Sequence, residues 1–372
     1  MEIYLDHAAT TCVDERVLEK MLPYFSGMCG NTASMHTQGR AVAKAVRSAR
    51  EQLAAAIGAC AEDIYFTSGG TESDNWALVG AMEAAGKGHI ITSTVEHHAV
   101  LETCAYLEAR GFAVTYVPVD GEGAVAPNSV RDAIRTDTIL ISIMYANNET
   151  GAIMPVHEIA ALAAAYGIPF HTDAVQAVGH VPVNVSASGI SMLSLSAHKF
   201  YGPKGVGALY VRSGCDIARY MRGGMQERGL RAGTCNTPGI VGMGKAVTLA
   251  TAELEDRSRA ETALRDRLWA GISVLPVRLN GPREGRLPGH LNVHFEGVEA
   301  AALLMYLDKQ GICVSTGAAC SAGSSSPSHV LIALGLSEEE AKSCIRFSLG
   351  NENTQQHIDS TVDAIKRFLN YG

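Results

Sequence analysis

Hydrophobic and polar positions follow two alternating patterns through residues 40–211. Short runs that are almost wholly apolar are bounded by Gly, Pro or Asp, and amphipathic windows with helical spacing lie between them. Strands that are covered on both faces read as continuous apolar runs, so the pattern predicts an α/β core with a buried parallel sheet and crossover helices. The predicted strands are 64–66, 90–92, 114–119, 139–144, 170–172, 192–195 and 208–211, and the predicted helices are 40–57, 73–85, 100–110 and 156–166.

A second unit is predicted after a long helical stretch at 239–268, which becomes strongly charged near residue 253. A helix whose face becomes charged is no longer packed in the core on that face, so we expect the helix to cross to a second unit and a domain boundary near residue 255. The expected domains are a large α/β domain at 14–254 and a small α+β domain built from 1–13 and 255–372. In the small domain the predicted elements are 291–295, a helix at 298–310, 312–315, a strand at 345–349 and a closing helix to about 369.

Composition and charge narrow the class of protein. The chain has 372 residues, is 47% hydrophobic and 18% charged, and has a net charge of −8. These values exclude a disordered or fibrous protein, and the length predicts about two domains. The chain has no long apolar run that could span a membrane and no signal-peptide layout at its start, so we expect a cytoplasmic protein. The 30 basic residues form no cluster against 38 acidic ones, which argues against a nucleic-acid partner.

The nine cysteines are scattered and include no CxxC pair. They fit neither a disulfide framework nor a zinc site, so no metal site is predicted.

Polar residues directly after the predicted strands indicate where the chemistry lies. Gly70 and Thr71 follow strand 64–66 and open a helix, an arrangement that can cradle an anion but also suits a plain turn and helix cap. His97, Asn148 and Asp173 follow or end three other strands, with Gln176 one turn after Asp173. One such residue alone is more often structural. Several together point to a ligand site, since the carboxyl ends of parallel strands meet at one crevice.

Lys199 decides the class of chemistry, because it comes at the end of strand 192–195 and before a Gly-rich turn. A lysine desolvated in such a place has a lowered pKa and can form a Schiff base, although a solvated loop cation is the alternative. An aldehyde cofactor with a phosphate, pyridoxal 5′-phosphate, would use every nearby group: the cradle at Gly70 and Thr71, Lys199, and Asp173 beside its ring nitrogen.

With these residues the chain resembles cysteine desulfurases of the NifS/IscS type, in the class V aminotransferase group of fold-type I pyridoxal-phosphate enzymes. The resemblance runs almost end to end. It rests on motifs at residues 4–11, 67–75, 96–97, 147–149, 171–173, 196–199, 231–234 and 346–349. It implies a large domain with a mainly parallel seven-stranded sheet and a smaller α+β C-terminal domain.

The resemblance also implies roles for individual residues. Lys199 resembles the Schiff-base lysine, Asp173 the partner of the pyridine nitrogen, and His97 the imidazole stacked on the ring. The leaving group also needs a general acid, for which His97 is the nearest candidate. Arg346 resembles the guanidinium that takes the substrate carboxylate. Asn148 and Gln176 match residues near the cofactor's phenolic oxygen and the substrate; Thr71, Ser196 and His198 match phosphate ligands, and Thr234 matches one supplied by the neighbouring subunit. A site shared in this way implies a homodimer.

Cys320 lies in a segment of small residues at 315–323 and corresponds to the family's persulfide-forming cysteine. Small residues let a loop move between a site and an acceptor, so we expect a mobile loop there. Cys313, on the preceding apolar run, is better interpreted as structural. The implied reaction converts L-cysteine to L-alanine and a persulfide on Cys320, with sulfur passed to an acceptor such as an iron–sulfur scaffold.

Two alternatives remain open. A selenocysteine lyase or another class V aminotransferase-type enzyme would keep the fold and change the substrate. A non-catalytic accessory of sulfur transfer would keep only the fold, and the presence of Lys199, Asp173, His97, Arg346 and Cys320 argues against it. The sequence does not identify the sulfur acceptor.

Overall fold

The computed structural model describes residues 2–316 and 326–370. Its strands are β1 (Ile3–Tyr4), β2 (Ile64–Thr67), β3 (His89–Ser93), β4 (Ala113–Val117), β5 (Thr138–Ser142), β6 (Phe170–Asp173), β7 (Met192–Ser196), β8 (Gly207–Val211), β9 (Val277–Asn280), β10 (His290–Phe295), β11 (Ile312–Cys313) and β12 (Cys344–Ser348). Seven of them form one sheet in the order β2-β8-β7-β6-β5-β3-β4. Only β8 runs antiparallel to its neighbours in this sheet, so the predicted mainly parallel seven-stranded sheet is confirmed.

The sheet is buried on both faces. Ile91 and Leu193 belong to the core on one face, whereas Ile90 and Met192, one residue earlier on the same strands, belong to the core on the other. Successive side chains of a strand point to opposite faces, so a strand covered on both sides must be apolar throughout. This burial explains why the apolar runs predicted the sheet.

The helices cover the sheet and continue into the second unit. They are α1 (Glu15–Met21), α2 (Pro23–Ser26), α3 (Thr37–Ile57), α4 (Gly70–Ala85), α5 (His98–Glu108), α6 (Pro127–Ala133), α7 (Val156–Ala165), α8 (Val185–Ser188), α9 (Thr237–Ala252), α10 (Leu254–Ile272), α11 (Ala300–Lys309), α12 (His329–Ala333), α13 (Glu338–Ala341) and α14 (Gln355–Phe368). No helix of the described part of the chain is long and apolar enough to cross a membrane.

The single helix predicted at 239–268 is wrong, because two helices meet at Glu253. The backbone of Glu253 has φ −101° and ψ 5°, which ends α9 before α10 starts. The Glu253 carboxylate also accepts a hydrogen bond from Arg16 Nη1 at 2.6 Å. This tertiary contact accompanies the break between the helices. The sequence around Glu253 contains no Gly or Pro that would have predicted the break.

The C-terminal part has its own sheet and core. β9, β10 and β12 form a three-stranded antiparallel sheet with β10 in the centre. Leu291, Phe295 and Phe347 of this sheet pack with residues of α10, α11 and α14 in a separate hydrophobic cluster. This is the small α+β unit expected after residue 255, although the exact division at 14–254 stays a prediction.

The N-terminal segment belongs to this second unit by its contacts. Ile3 and Tyr4 pair in parallel with Ile312 and Cys313, forming a two-stranded sheet of β1 and β11. The segment then runs towards the large sheet, where Thr11 N–H donates to the carbonyl of His198 at 3.0 Å. The first residues therefore join the small unit to the carboxyl end of the large sheet.

Candidate active site

A cavity of about 370 Å³ lies at the carboxyl end of the large sheet. It collects side chains that are distant in sequence because the loops after β2, β3, β5, β6 and β7 all open at this edge. Its lining includes Gly70, Thr71, His97, Asn148, Asp173, Gln176, Ser196, His198, Lys199 and Arg346, together with Ala8, Ala9, Asp74, Met144 and Val175. The structure thus brings together ten of the twelve residues selected from the sequence.

One end of the cavity is formed by the start of α4. Gly69, the residue that caps this helix, offers no capping side chain, so the N–H groups of the first turn are available to an acceptor outside the helix. Ser196 Oγ lies 3.7 Å from the position that a Cβ on Gly69 would take. A Cβ on Gly207 would come within 2.6 Å of Gly69 Cα, so glycine is required where β8 passes this turn. Donors and small residues here form a concave site suited to an anion.

The amino group of Lys199 is held by backbone carbonyls of the N-terminal segment. Lys199 Nζ donates to the carbonyl oxygens of Ala8 at 2.5 Å and Ala9 at 2.8 Å. The side chain is half-buried and follows β7 in a short 3₁₀ turn, Ala197–Lys199. The neighbouring His198 Nδ1 lies 3.1 Å from Thr10 Oγ1, and burial, with Lys199 nearby, lowers the pKa of His198 to about 4.

Asp173 and Gln176 project into the cavity from the end of β6. Asp173 Oδ1 accepts the Val175 N–H at 2.9 Å, which fixes the carboxylate. Burial raises the pKa of Asp173 to about 6, while the Val175 N–H and Lys199 oppose that rise. Gln176 Nε2 donates to the Ala8 carbonyl at 2.9 Å, so its amide is oriented by the same N-terminal segment that holds Lys199.

His97 stands at the start of α5. Its Nδ1 accepts the Ala99 N–H at 3.1 Å, so the proton of the neutral ring is assigned to Nε2. Burial lowers the pKa of His97 to about 4, and Lys199, His98 and His329 act in the same direction. At neutral pH the ring is therefore an uncharged N–H donor that faces the cavity.

Arg346, on β12, brings a cation from the small unit to the cavity. Its Nη1 donates to the Asn148 carbonyl at 3.0 Å and its Nη2 to Asp6 Oδ1 at 2.7 Å. The buried Nε has no hydrogen-bond acceptor among residues 2–316 and 326–370. These two contacts use two of the five N–H donors of the guanidinium, and the donors left over fit a carboxylate brought by a ligand.

Two residues selected from the sequence are not part of this cavity. Thr234 lines a separate cavity of about 120 Å³ with Arg231, Glu227 and Ser68. Its loop is tied to the start of α4, because Arg231 Nε donates to Glu72 Oε1 at 2.9 Å. Cys320 lies outside the described residues, as does most of the loop predicted around it.

Sequence reasoning missed a carboxyl group within the site. Asp74 lies on α4, one turn after Gly70, and is 1% exposed. The spacing of four residues from the glycine that opens the helix was the available signal, since residues i and i+4 share a helix face. Glu96, next to His97, is also buried, and burial raises its pKa to about 8. In the part of the chain that the structure describes, no group of three or more His, Cys, Asp or Glu residues could hold a metal ion.

Comparisons with known proteins agree with this geometry. The family model for aminotransferase class-V matches residues 3–361. The chain is 51% identical over 373 residues to a protein of Dictyoglomus turgidum named cysteine desulfurase IscS, and the match covers 99% of this chain and 94% of that protein.

Solved structures give the same result for the fold. A structure described as a NifS-like protein matches with a TM-score of 0.95 and 39% identity, covering 100% of both chains. Another, described as SspA in complex with cysteine, matches with a TM-score of 0.85 and 39% identity, covering 95% of this chain and 100% of that one.

Proposed function

The chain belongs to the aminotransferase class-V family and is a cysteine desulfurase, and from this premise we propose which of its residues carry the reaction. The observation that supports the assignment is the convergence of Lys199, Asp173, His97 and Arg346 on one cavity. An amine, a carboxylate, an imidazole and a guanidinium are the groups that an amino-acid substrate and an aldehyde coenzyme require.

Members of the family are pyridoxal-phosphate enzymes, and the cavity suits that coenzyme. The first turn of α4 with Gly70 and Thr71 would hold its phosphate together with Ser196 and His198, because N–H and O–H donors meet there without a capping side chain. Asp173 would hold its ring nitrogen and His97 would lie against its ring. Asn148 and Gln176 would stand by its phenolic oxygen. When bound, pyridoxal 5′-phosphate acts as an electron sink for the substrate's Cα.

The protein's own groups would then bind cysteine and move its protons. Arg346, which lines the cavity, binds the substrate carboxylate through the N–H donors that Asn148 and Asp6 leave unused. Lys199 would hold the coenzyme through its amino group and would take the Cα proton of cysteine, and the carbonyls of Ala8 and Ala9 orient that amine. His97 Nε2 holds a proton within the cavity and is our candidate for the general acid.

We infer that the sulfur leaves on Cys320. Its thiolate attacks the substrate sulfur, the Cβ–S bond breaks, and a new S–S bond makes a persulfide while the carbon skeleton, with protons added at Cα and Cβ, becomes alanine. The persulfide sulfur then passes to an acceptor, for which an iron–sulfur scaffold protein is our proposal.

The test is the yield of alanine and sulfide from L-cysteine with a thiol reductant present. Equal amounts of both are expected from the wild-type chain and from Cys313→Ser, a matched control in β11. Cys320→Ser should keep the coenzyme colour and lose sulfur transfer. A Cys320→Ser variant that releases sulfide at the wild-type rate would exclude the role of Cys320, and a coloured wild-type protein that releases neither product would exclude the substrate.

We also propose that two copies of the chain share each site. Thr234 lies outside its own chain's cavity, and Thr32 Oγ1, 3.7 Å from Cys235 Sγ, joins its loop to the segment before α3. Met35 and Met225 in these two segments are 89% and 74% exposed. A partner subunit that covered them would remove this apolar surface from water.

Subunit mixing tests this arrangement. Thr234→Ala removes the phosphate ligand given to the partner, and Lys199→Ala inactivates its own site. If the site is shared, mixing the two weak variants restores activity, because a mixed dimer contains one intact site. If Thr234 serves its own chain, the mixture stays as inactive as its components.

A further inference from the structure

Behind the cavity lies a row of buried polar side chains that the proposed reaction does not use. His171, on β6, is fully buried; its Nδ1 lies 2.8 Å from Ser142 Oγ and its Nε2 3.0 Å from Ser194 Oγ. Ser194 also interacts with the Asp74 carboxyl. Asp74 Oδ1 is 3.7 Å from His171 Nε2 and has no hydrogen-bond partner within residues 2–316 and 326–370. The row thus runs from Asp74 through Ser194 and His171 to Ser142.

Asp74 lines the same cavity as Asp173, and the charged groups that act on it are both acidic. Burial disfavours its ionised form most, and Asp173 and Glu96 add to this; the Ser194 hydroxyl acts in the opposite sense, and on balance the pKa of Asp74 is raised well above its usual value. Lys199 acts on Asp173 in the opposite sense and lowers its pKa. His171 offers no positive charge, because burial lowers its pKa to about 3.

We propose that Asp74 and Asp173 carry one negative charge between them, with the proton on Asp74 and the charge on Asp173. Two carboxylates sharing a buried site cannot both ionise readily, and only Asp173 has a cation and a backbone N–H to stabilise its charge. Asp74 is therefore a positioning residue, which acts through Asp173. The functional meaning rests on the proposed role of Asp173 at the ring nitrogen.

The hydrogen-bond chain has an order of donors that fits this assignment. The Asp74 O–H donates to Ser194 Oγ, the Ser194 O–H donates to His171 Nε2, and the His171 Nδ1–H donates to Ser142 Oγ. Each proton then has an acceptor, and His171 stays neutral. The reverse order requires an ionised Asp74 beside Asp173, which places two anions in a buried site with one lysine.

The consequence for the coenzyme is a match of charges. A protonated ring nitrogen carries one positive charge, and Asp173 alone supplies one negative charge beside it. A second anion at Asp74 would make the buried site more negative than its ligand requires and would compete for the same proton.

Infrared difference spectra of the coenzyme-free protein test the protonation state directly. The wild-type minus Asp74→Asn spectrum at pH 7 should contain the C=O stretch of a protonated carboxyl group and no carboxylate bands. In an Asp173→Asn background the pH at which that band disappears should fall by about one unit or more, because the neighbouring charge is gone. Carboxylate bands from Asp74 at pH 7, or a titration that Asp173→Asn does not move, would overturn the proposal.

A second measurement tests the effect on the coenzyme. Asp74→Ala should lower the affinity for pyridoxal 5′-phosphate, measured by its visible absorbance, and Asp74→Asn should restore most of it because a neutral amide can donate to Ser194 as the acid does. An Asp74→Asn variant as weak as Asp74→Ala would show that the charge is needed and refute the assignment. If no variant and no wild-type chain binds the coenzyme, the proposed function fails while the infrared result still decides the charge.

Discussion

Replacing Arg346 by lysine is a sharp test of how the site recognises its substrate. Arg346 is nearly buried, with 3% of its side chain exposed, and two of its nitrogens are already occupied by Asn148 and Asp6. The N–H groups that these two contacts leave unused are the donors assigned to the substrate carboxylate. Lysine keeps the positive charge but has a single nitrogen, which the Asp6 carboxylate will hold.

The expected loss follows from the hydrogen bonds removed. One bond to a charged group contributes about 1.5–3 kcal/mol, which corresponds to an increase of about 10- to 150-fold in KM for L-cysteine. The effect should fall mainly on KM, because the carboxylate is bound alike before and during the reaction. Asp6→Asn, which removes the ion pair but leaves the guanidinium, should raise KM less.

The assay is the initial rate of product formation over a range of L-cysteine concentrations, with coenzyme in excess. 2-Aminoethanethiol, the same molecule without its carboxylate, is the control substrate, and its slow turnover should be the same in the wild-type chain and in Arg346→Lys. An unchanged KM for cysteine, or an equal loss with both substrates, would refute the carboxylate role. Thermal unfolding of each variant checks that the fold is retained.

Three further predictions concern the coenzyme, the pH dependence of stability and the small core. Lys199→Ala should lose both the yellow colour and turnover while its far-ultraviolet circular dichroism stays wild-type; a wild-type visible band would contradict the attachment at Lys199. Burial raises the pKa of Glu261 to about 7, so this carboxyl stabilises the fold at low pH and that contribution is lost as the pH rises through 7. Urea unfolding at several pH values should show wild type losing roughly 3 kcal/mol relative to Glu261→Gln between pH 4.5 and 7, and parallel curves would contradict it. Phe295→Ala, in the core of the small unit, should cost about 3–5 kcal/mol in urea unfolding. The exposed Val274→Ala control should change stability by less than about 0.5 kcal/mol, and equal losses in the two variants would contradict the assigned core.

The large sheet was predictable because its strands are covered on both faces. Burial of that kind leaves an apolar run that is visible in the sequence, as in the stretch that becomes β7. By contrast, β9 was not predicted: Val277 and Leu279 are half-buried and Arg278 is exposed, so its run of apolar residues is interrupted. A short strand on one side of a small sheet leaves little pattern.

The candidate site was predictable in part for the same topological reason. His97, Asp173 and Lys199 follow buried strands, and the carboxyl ends of those strands meet. Asp74 was missed because it lies within a helix, where its burial depends on the packing of α4 against the sheet. The location of Thr234 relative to the cavity could come only from the resemblance, since nothing in a single chain's sequence spacing indicates a residue that serves a partner.

The N-terminal segment fixes the order in which the cavity is completed during synthesis. Asp6 and Ala8 are synthesised more than 300 residues before their partners, Arg346 and Ser348. Lys199 and Gln176 contact the Ala8 carbonyl from the large unit, but the Ala8 N–H has its acceptor, Ser348 Oγ, only once the later residues have been made. The nascent chain can fold its large sheet early, whereas the cavity closes only after residues 346–348 have been synthesised. A ligand that contacts both Lys199 and Arg346 therefore meets its complete site only after residue 346 has been synthesised.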